Sequence, residues 1–429
     1  MIKNRVDIVT LGCSKNLVDS ELLMKQFAVN GYRVVHNPDK IRGEIVVVNT
    51  CSFINDAKEE SVNLILQLAG IRKQEKIRKL FVMGCLSERY AQELREEIPE
   101  VDRFYGKFDW KLLISDLGKS YMEDFSSERM ITTPKHYAYL KIAEGCNRTC
   151  SYCSIPLITG KYKSKTIETI CAEVKSLVKQ GVKEFQLIAQ DLTYYGYDLY
   201  KKYHLPTLVQ LLSDIPGVEW IRLHYAYPTH FPVELLPVIR ERENVCNYLD
   251  IALQHSSDHI LKLMRRNSDK QTTIDLINEI RSEVPGIHLR TTMMVGHPGE
   301  TEDDFHDLLD FIQQMRFERL GCFMYSNEEK TYAYKHYKDN VSPETKQYRS
   351  DELMAVQREI AFEINKQKIG KTLKVIIDRE EPEYYVGRTE YDSPEVDPEV
   401  FVKKTKKLIP GRFYPIQITG TQSYDLTAN

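Results

Sequence analysis

Hydrophobic and polar positions change rhythm three times along the chain. Over the first hundred residues, short continuous apolar runs alternate with stretches of helical spacing. Residues 6–11, 45–48 and 80–83 read as strands, and the β-branched run at 45–48 as one buried on both faces. Residues 17–29, stopped by Gly31, residues 57–69 and residues 88–97 carry apolar side chains at three- and four-residue intervals and read as helices. This alternation predicts an α/β domain built on a doubly wound parallel sheet. Residues 119–135, with scattered charges, Ser126, Ser127 and Pro134, read as a linker.

Beyond the linker, strand candidates begin near Tyr139, Phe185, Trp220, Tyr248, Leu289 and Leu320. Helical stretches at 166–179, 271–283 and 303–315 fall between them. Six strand–helix units predict a partial (βα)6 barrel, with its site on the loops at the carboxyl ends of the strands. A long helix is expected over 343–368. After Gly370 the rhythm changes again. Short alternating or β-branched runs at 372–377, 384–389, 400–402, 414–419 and 423–426 are split by proline, glycine and charge. They predict a small five-stranded β-barrel of the oligonucleotide-binding type. The expected domains are 1–124, 132–365 and 366–429.

Composition narrows the class. The hydrophobic share of 42% over 429 residues supplies genuine cores. No apolar run approaches membrane-spanning length, and the first residues hold no apolar signal region, so a cytoplasmic protein with no membrane partner is expected. A net charge of −3 argues against a protein that lives mainly on nucleic acid. Nine cysteines in such a chain point to metal or redox chemistry rather than disulfides.

Six of those cysteines fall into two patterns. Cys146, Cys150 and Cys153 form a CxxxCxxC run. A four-iron cluster normally takes four thiolates, so three leave one iron open to a small molecule. The alternatives are a structural zinc loop or three buried thiols. Zinc sites of the CxxC type bring a second ligand pair, and the next cysteine, Cys171, stands alone. Cys13, Cys51 and Cys85 each lie just past the carboxyl end of an expected strand, the edge that lines the ligand crevice of an open α/β sheet. Three thiols from distant stretches can therefore converge as a second cluster site; the alternative is three buried structural cysteines. Cys171, Cys246 and Cys322 fit no motif and read as packing residues.

Other polar groups close the expected barrel strands: Gln190 and Asp191, His224, Gln254 and His255, and the run Gly296, His297, Pro298, Gly299, Glu300. By position Gln190, Asp191, Gln254, Gly296, Gly299 and Glu300 are candidates to bind a small-molecule cofactor or the substrate, the glycines by close backbone approach. His224 and His255 read as hydrogen-bonded core groups.

The cysteine loop, with Tyr152 ahead of its last cysteine, resembles that of the radical S-adenosylmethionine superfamily. That resemblance implies a 4Fe-4S cluster at Cys146, Cys150 and Cys153, S-adenosylmethionine on the open iron with Tyr152 among the cofactor-binding residues, and a 5′-deoxyadenosyl radical as the reactive species. Joined to a three-cysteine α/β domain, it is similar to the methylthiotransferase family. Residues 10–21 (TLGCSKNLVDSE) resemble the opening motif of the ribosomal-protein (RimO-type) branch, with Ser14 where proline is more common. Residues 49–54, 56–61, 138–144 and 392–397 fit the same branch. Thr159 and Lys165 stand where many members carry arginine; lysine keeps the charge but not the planar fork.

What this resemblance implies is a second 4Fe-4S cluster at Cys13, Cys51 and Cys85, and methylthiolation of the β-carbon of an aspartate in small-subunit ribosomal protein uS12. A reductant protein such as flavodoxin or ferredoxin would supply electrons. Abstracting hydrogen from an unactivated carbon lies outside acid–base side-chain chemistry, so no catalytic acid or base is assigned. The rivals are a tRNA adenosine methylthiotransferase and a non-catalytic metal-binding scaffold. The final segment resembles a TRAM domain, which in this family often binds RNA. Residues 371–429, however, hold nine basic against ten acidic residues, a poor surface for phosphate. The acidic run Glu380, Glu381, Glu383, Glu390, Asp392, Glu395, Asp397 and Glu399 is expected to suit a basic ribosomal protein.

Overall fold

The opening apolar runs become parallel strands because each is flanked by helices that cover both faces of one sheet. The computed structural model describes residues 1–429. Its internal contacts divide the chain into two units, the first being Met1–Thr133 with Glu144–Asn147 and Ser154–Lys163. Here β1 (Ile2–Thr10), β2 (Arg33–His36), β3 (Gly43–Thr50), β4 (Lys79–Gly84) and β5 (Arg103–Phe104) form a parallel sheet in the order β2-β1-β3-β4-β5. Helices α1 (Ser14–Val29), α2 (Asn55–Lys73) and α3 (Cys85–Glu97) follow β1, β3 and β4.

Alternate residues of β3 serve two cores. Ile45 and Val47 pack with Leu23, Met24 and Phe27 of α1, while Val46 and Val48 pack with Ile65 and Leu68 of α2. A continuous apolar run is what that two-sided burial requires. β2 and β5, four and two residues long, escape the sequence pattern because such short edge strands show no period. The sheet order places a topological switch between β1 and β3, where open α/β sheets bind ligands.

The segment expected to be a linker is tied to α1. Gln26 donates from Nε2 to the Met122 carbonyl at 3.0 Å and accepts from the Met122 amide at 2.9 Å. Glu21 Oε1 accepts from the Thr132 amide and hydroxyl at 2.7 and 2.8 Å. These are side-chain bonds from buried polar positions of α1, and they leave no periodic trace in the segment they hold.

The second unit comprises Pro134–Ala143, Arg148–Cys153 and Ser164–Asn429. Its first strand is β6 (Tyr137–Lys141). Two short strands, β7 (Ala143–Glu144) and β8 (Lys163–Ser164), come next in the chain. Then follow β9 (Glu184–Ile188), β10 (Trp220–Ala226), β11 (Val245–Gln254), β12 (His288–Val295) and β13 (Arg319–Met324). Six of these lie in the order β6-β9-β10-β11-β12-β13, every neighbouring pair parallel, as the expected partial barrel requires. The helices Ile167–Lys179, Lys270–Glu283 and Glu302–Met315 fall where the spacing put them. The last opens with a capping box between Thr301 and Asp304. The long helix Pro343–Lys366 starts at a Ser342 cap with proline in its first turn.

β14 (Thr372–Glu380), β15 (Tyr384–Thr389), β16 (Val400–Lys403), β17 (Phe413–Gln422) and β18 (Asp425–Ala428) close a five-stranded barrel in the order β14-β15-β16-β18-β17. It belongs to the same unit as the parallel strands and is bound to their amino-terminal ends. Glu184 of β9, fully buried, pairs with Arg222 of β10 at 3.1 Å and with Arg388 of β15 at 2.7 Å. Arg388 also meets Asp378 at 2.7 Å, and Asp378 meets His136 at 2.7 Å.

The acidic run begins at the end of β14 and continues through the loop after β15, and the structure corrects the reading of Asp392, Glu395 and Asp397 as part of a surface for a basic partner. Asp392 pairs with Arg319 at 2.5 Å, and Asp397 takes Arg290 at 3.3 Å and the Tyr248 hydroxyl at 2.8 Å. Glu395 accepts from the Tyr137 and Tyr139 hydroxyls at 3.0 and 2.9 Å. Glu381 and Glu399 pair with Arg379, and Glu380 with Lys404. Asp392 and Asp397 are thus spent inside the molecule on cations distant in sequence and Glu395 on two tyrosines, while Glu380, Glu381 and Glu399 form ion pairs at the surface.

Candidate functional site

The carboxyl edge of the first sheet gathers Cys13 after β1, Cys51 after β3 and Cys85 at the start of α3 after β4. Backbone contacts bring these ends together. Gly12 has φ 85°, and a Cβ there would stand 2.6 Å from Cys51 Cβ and 2.7 Å from its Sγ. Gly84 has φ 100°, and its Cβ would stand 2.4 Å from Asn49 Oδ1 and 2.6 Å from the Thr50 amide nitrogen. Both positions need glycine on two counts, space and handedness. Ser61 Oγ accepts from the Cys51 amide at 3.1 Å and donates to its carbonyl at 2.9 Å, so the Cys51 backbone is held at both ends.

Two residues outside the cysteine pattern complete this edge. Asn16, buried in the first turn of α1, donates to the Leu11 and Thr50 carbonyls at 3.0 and 2.8 Å. Its Oδ1 accepts from Lys107 Nζ at 3.3 Å and faces Cys85 Sγ at 3.8 Å. Lys107 follows β5, is 3% exposed, and pairs with Asp19 at 2.8 Å. Burial pushes the Cys85 thiol up to about 12, opposed by Lys107 and reinforced by Cys13 and Cys51. Burial raises Cys51 as well. Cys13 is exposed at its surface; the protein around it works against ionising the thiol, but Lys15, Lys107 and the Asn16 and Lys15 amides together hold it below its ordinary value. The three sulfur groups thus feel one another and one common cation.

No three His, Cys, Asp or Glu side chains crowd closely enough to share a single ion. An iron–sulfur cluster asks for something different, soft thiolates set around it with each on its own iron. Three cysteines on one edge, beside a buried cation that offsets thiolate charge, fit that demand.

The loop with Cys146, Cys150 and Cys153 is fixed through the residues around its cysteines, which are half-buried and form no disulfide. A Cβ on Gly145 would stand 2.2 Å from the Lys161 carbonyl oxygen, and the Cys146 amide donates to the Gly160 carbonyl at 3.1 Å. In the second unit, the Ser151 amide donates to the Met264 carbonyl at 2.9 Å, and its carbonyl accepts from the Ala333 amide at 2.7 Å. The Ser151 hydroxyl meets His297 Nε2 at 3.2 Å. His297 Nδ1 lies 3.0 Å from the Pro298 carbonyl, which only accepts, so Nδ1 carries the proton and Nε2 accepts from Ser151. Burial lowers His297 to about 4, which keeps this arrangement neutral.

Arg266 is buried beside Cys150. Its Nη1 lies 3.9 Å from Cys150 Sγ and donates to the Tyr152 hydroxyl at 3.2 Å. Arg266 and Arg148 both stack on the Tyr227 ring, at 4.3 and 4.0 Å from its centroid, and the Tyr227 hydroxyl stands 4.0 Å from Cys150 Sγ. Arg148 in turn pairs with Asp191 at 2.7 Å. A cleft of about 600 Å³ opens beside Arg266, between residues 228–231 and the start of the helix Lys270–Glu283.

The expected cofactor-binding residues divide. Tyr152 lies in the cysteine loop. Asp191 holds Arg148 and accepts from Thr193 Oγ1 at 2.6 Å; Gln190, half-buried, precedes it. Gln254 ends β11 with φ 74°, an uncommon conformation for a residue other than glycine. The glycines expected to admit a ligand are approached by the chain itself: a Cβ on Gly296 would stand 2.3 Å from Lys346 Cγ, and one on Gly299 2.9 Å from Leu263 Cδ1. Glu300 accepts from the Gly296 and His297 amides at 2.7 and 3.3 Å and pairs with Arg349 at 2.8 Å. Burial raises it to about 7 against those partners, and its carboxylate closes the turn.

His224 bonds to Gln186 at 2.8 Å, and His255 accepts from the Ser257 amide at 3.0 Å, both as core groups. Cys246 packs among Trp220, Tyr248 and Ile376. Lys165 pairs with Glu173 at 2.9 Å, and the Thr159 hydroxyl donates to the Ile155 carbonyl of its own helix at 3.1 Å. Sequence reasoning missed Asn16, Lys107, Arg148, Tyr227 and Arg266. Asn16 and Arg148 lie inside motifs already read for their cysteines; the others carry no local signal.

Three family models match, in order: the uncharacterized protein family UPF0004 over residues 5–106, the radical SAM superfamily over 140–312 and the TRAM domain over 369–429. The chain is 64% identical over 426 residues to the ribosomal protein uS12 methylthiotransferase RimO of Parabacteroides distasonis, covering 99% of each. It is 60% identical to the protein of that name from Phocaeicola vulgatus, covering 100% of each. To that of Christiangramia forsetii it is 51% identical, covering 99% of this chain and 94% of the other. Among solved structures, the radical S-adenosylmethionine methyltransferase TsrM of Kitasatospora setae matches with a TM-score of 0.56 at 12% identity, covering 88% of this chain and 79% of that one. At that identity the likeness is one of fold.

Proposed function

Because the chain belongs to the RimO family of ribosomal protein uS12 methylthiotransferases, we propose that it transfers a methylthio group to the β-carbon of an aspartate in uS12. The observation that carries this reading is full-length identity of 51–64% to proteins of that name. The tRNA adenosine alternative is not favoured, since the relatives that match over the full chain are named for uS12.

The radical SAM core uses an iron–sulfur cluster and S-adenosylmethionine. We assign the cluster to Cys146, Cys150 and Cys153, and a second one to Cys13, Cys51 and Cys85. Bound there, such groups supply one-electron chemistry able to remove hydrogen from an unactivated carbon. The chain's own residues do the rest. Ser151, bonded to Met264, Ala333 and His297, fixes the peptide between Cys150 and Cys153. Arg266 and Tyr227 place a positive charge and a hydroxyl beside Cys150 Sγ, where they offset thiolate charge. Asp191 holds Arg148 against Tyr227, and Arg148 Nη2 donates to the carbonyl of Thr229, a residue that lines the 600 Å³ cleft, at 3.4 Å. We take 1–124, 132–365 and 366–429 as the working domains, and a protein such as flavodoxin or ferredoxin as the reductant. The near-even charge of the last segment, its carboxylates internally paired, supports a role other than RNA binding. No helix is long and apolar enough to cross a membrane.

The test is anaerobic incubation of the reconstituted protein with S-adenosylmethionine, dithionite and uS12, free or in assembled small subunits, with unmodified tRNA in parallel. The expected result is 5′-deoxyadenosine together with a mass gain of one methylthio group on a uS12 aspartate. A gain on tRNA adenosine, or none beside a verified cluster content, overturns the assignment.

A further inference from the structure

Four parallel strands, β1, β3, β4 and β5, end at the carboxyl edge of the first sheet, and each contributes one residue just beyond its end. Three of those residues are cysteines; after β5 it is Lys107. Its place is unusual for lysine, which is seldom fully buried without a partner. Only 3% of it is exposed, and the amide of the same residue is held by Glu88 Oε2 at 2.8 Å. The side chain has a fixed direction. Of its three ammonium protons, one goes to Asp19 Oδ2 at 2.8 Å and one to Asn16 Oδ1 at 3.3 Å. Asn16 Oδ1 is the same atom that faces Cys85 Sγ, at 3.8 Å. The amide of Asn16 is pinned to the loops behind Cys13 and Cys51 through the Leu11 and Thr50 carbonyls. One asparagine therefore registers the lysine against all three cysteine-bearing strand ends.

A packing role alone would be met at lower cost by an apolar side chain, since burying a charge is expensive even when it is paired. A cation kept at this depth is explained by negative charge that it must meet. Asp19 accounts for one such charge at contact distance, and Glu144 lends a second without a bond to the ammonium. Three thiolates and whatever anion shares their metal account for more.

We propose that Lys107, registered by Asn16 and Asp19, is a positioning residue that holds an anionic sulfur species, hydrosulfide or an alkylthiolate, at the site formed by Cys13, Cys51 and Cys85. A protonated lysine has no lone pair and cannot ligate iron. It therefore leaves the fourth position vacant while attracting an anion to it, and a fourth cysteine after β5 would fill that position instead. This rests on the assignment of a second cluster to those three cysteines.

The probe is [14C]methanethiolate, bound to the anaerobically reconstituted full chain without S-adenosylmethionine or uS12 and measured by equilibrium gel filtration. Iron and acid-labile sulfide are counted on the same samples. The variants are Lys107→Gln, Lys107→Arg and the triple Cys13→Ala, Cys51→Ala, Cys85→Ala. If wild type carries no more iron than the triple variant, the second cluster itself fails, whatever Lys107 does. If it carries more, Lys107→Gln with wild-type iron is expected to bind the thiolate at least tenfold more weakly, with Lys107→Arg within about threefold of wild type. Equal affinity of wild type and Lys107→Gln at equal iron overturns the proposal. Loss of iron from Lys107→Gln but not from Lys107→Arg also overturns it, since the charge is then needed to retain the cluster and not to hold the added thiolate. Loss from both overturns it, because the residue is then needed for its shape.

Discussion

At the scale of single residues, the cysteines matter less for being present than for what fixes them. Cys51 is set by a glycine in another loop. Gly12 at φ 85° leaves room for Cys51 Cβ and Sγ, and a methyl group there would overlap both. Gly12→Ala is therefore expected to displace Cys51, at about 1–3 kcal/mol of backbone strain besides. Iron content should fall to that of Cys13→Ala, while the iron carried by Cys146, Cys150 and Cys153 remains. Iron analysis with circular dichroism of the protein checks this. Full iron in Gly12→Ala would mean that the close approach has no bearing on the metal site. The cysteines were legible because a motif is local; Lys107 and Arg266 were not, because what makes each notable is a neighbour from another strand or loop.

At the scale of elements, the long apolar runs announced themselves. β3 packs against α1 on one face and α2 on the other, and its sequence is continuous for that reason. The barrel strands and their helices were readable by the same logic. What could not be read was how the elements are joined. Residues 119–135 look like a linker because the groups that hold them, Glu21 and Gln26, belong to α1. The acidic run after β15 looks like a surface because the cations that meet it, Arg290 and Arg319, stand 107 and 73 residues before Asp397 and Asp392. Glu184 likewise gives no hint of Arg388. With both ends of that pair buried, Arg388→Met should destabilise the unit by about 3–5 kcal/mol, leaving Glu184 with Arg222 as its only cation and taking from Asp378 its arginine. Urea unfolding of the full chain reads this, and adding Glu184→Gln should restore part of the loss. A single variant within about 1 kcal/mol of wild type would show that the pair is dispensable.

At the scale of the whole molecule, the C-terminal barrel is bound to the parallel strands by apolar contact of Ile376 and Phe413 with Trp220 and by a set of ion pairs, and the ion pairs make the attachment sensitive to acid. Asp378 is the clearest instance. Burial works to raise its carboxyl, but Arg388 and the bond to His136 prevail and hold it at about 2 against an ordinary 3.8. A carboxyl depressed in the folded state contributes stability that is fully present above the unfolded value and is lost as pH falls through the folded one. The window is thus from about pH 4 down to about pH 2, and the shift corresponds to about 2 kcal/mol at neutral pH. Asp392, depressed further through Arg319 and Lys368 although burial opposes it, adds to the loss in the same direction. Urea midpoints measured from about pH 6 to about pH 2 should fall in that window, and Asp378→Asn should start lower and fall less steeply. An Asp378→Asn slope identical to that of wild type would remove Asp378 from the acid response and leave its pairing with Arg388 without energetic consequence.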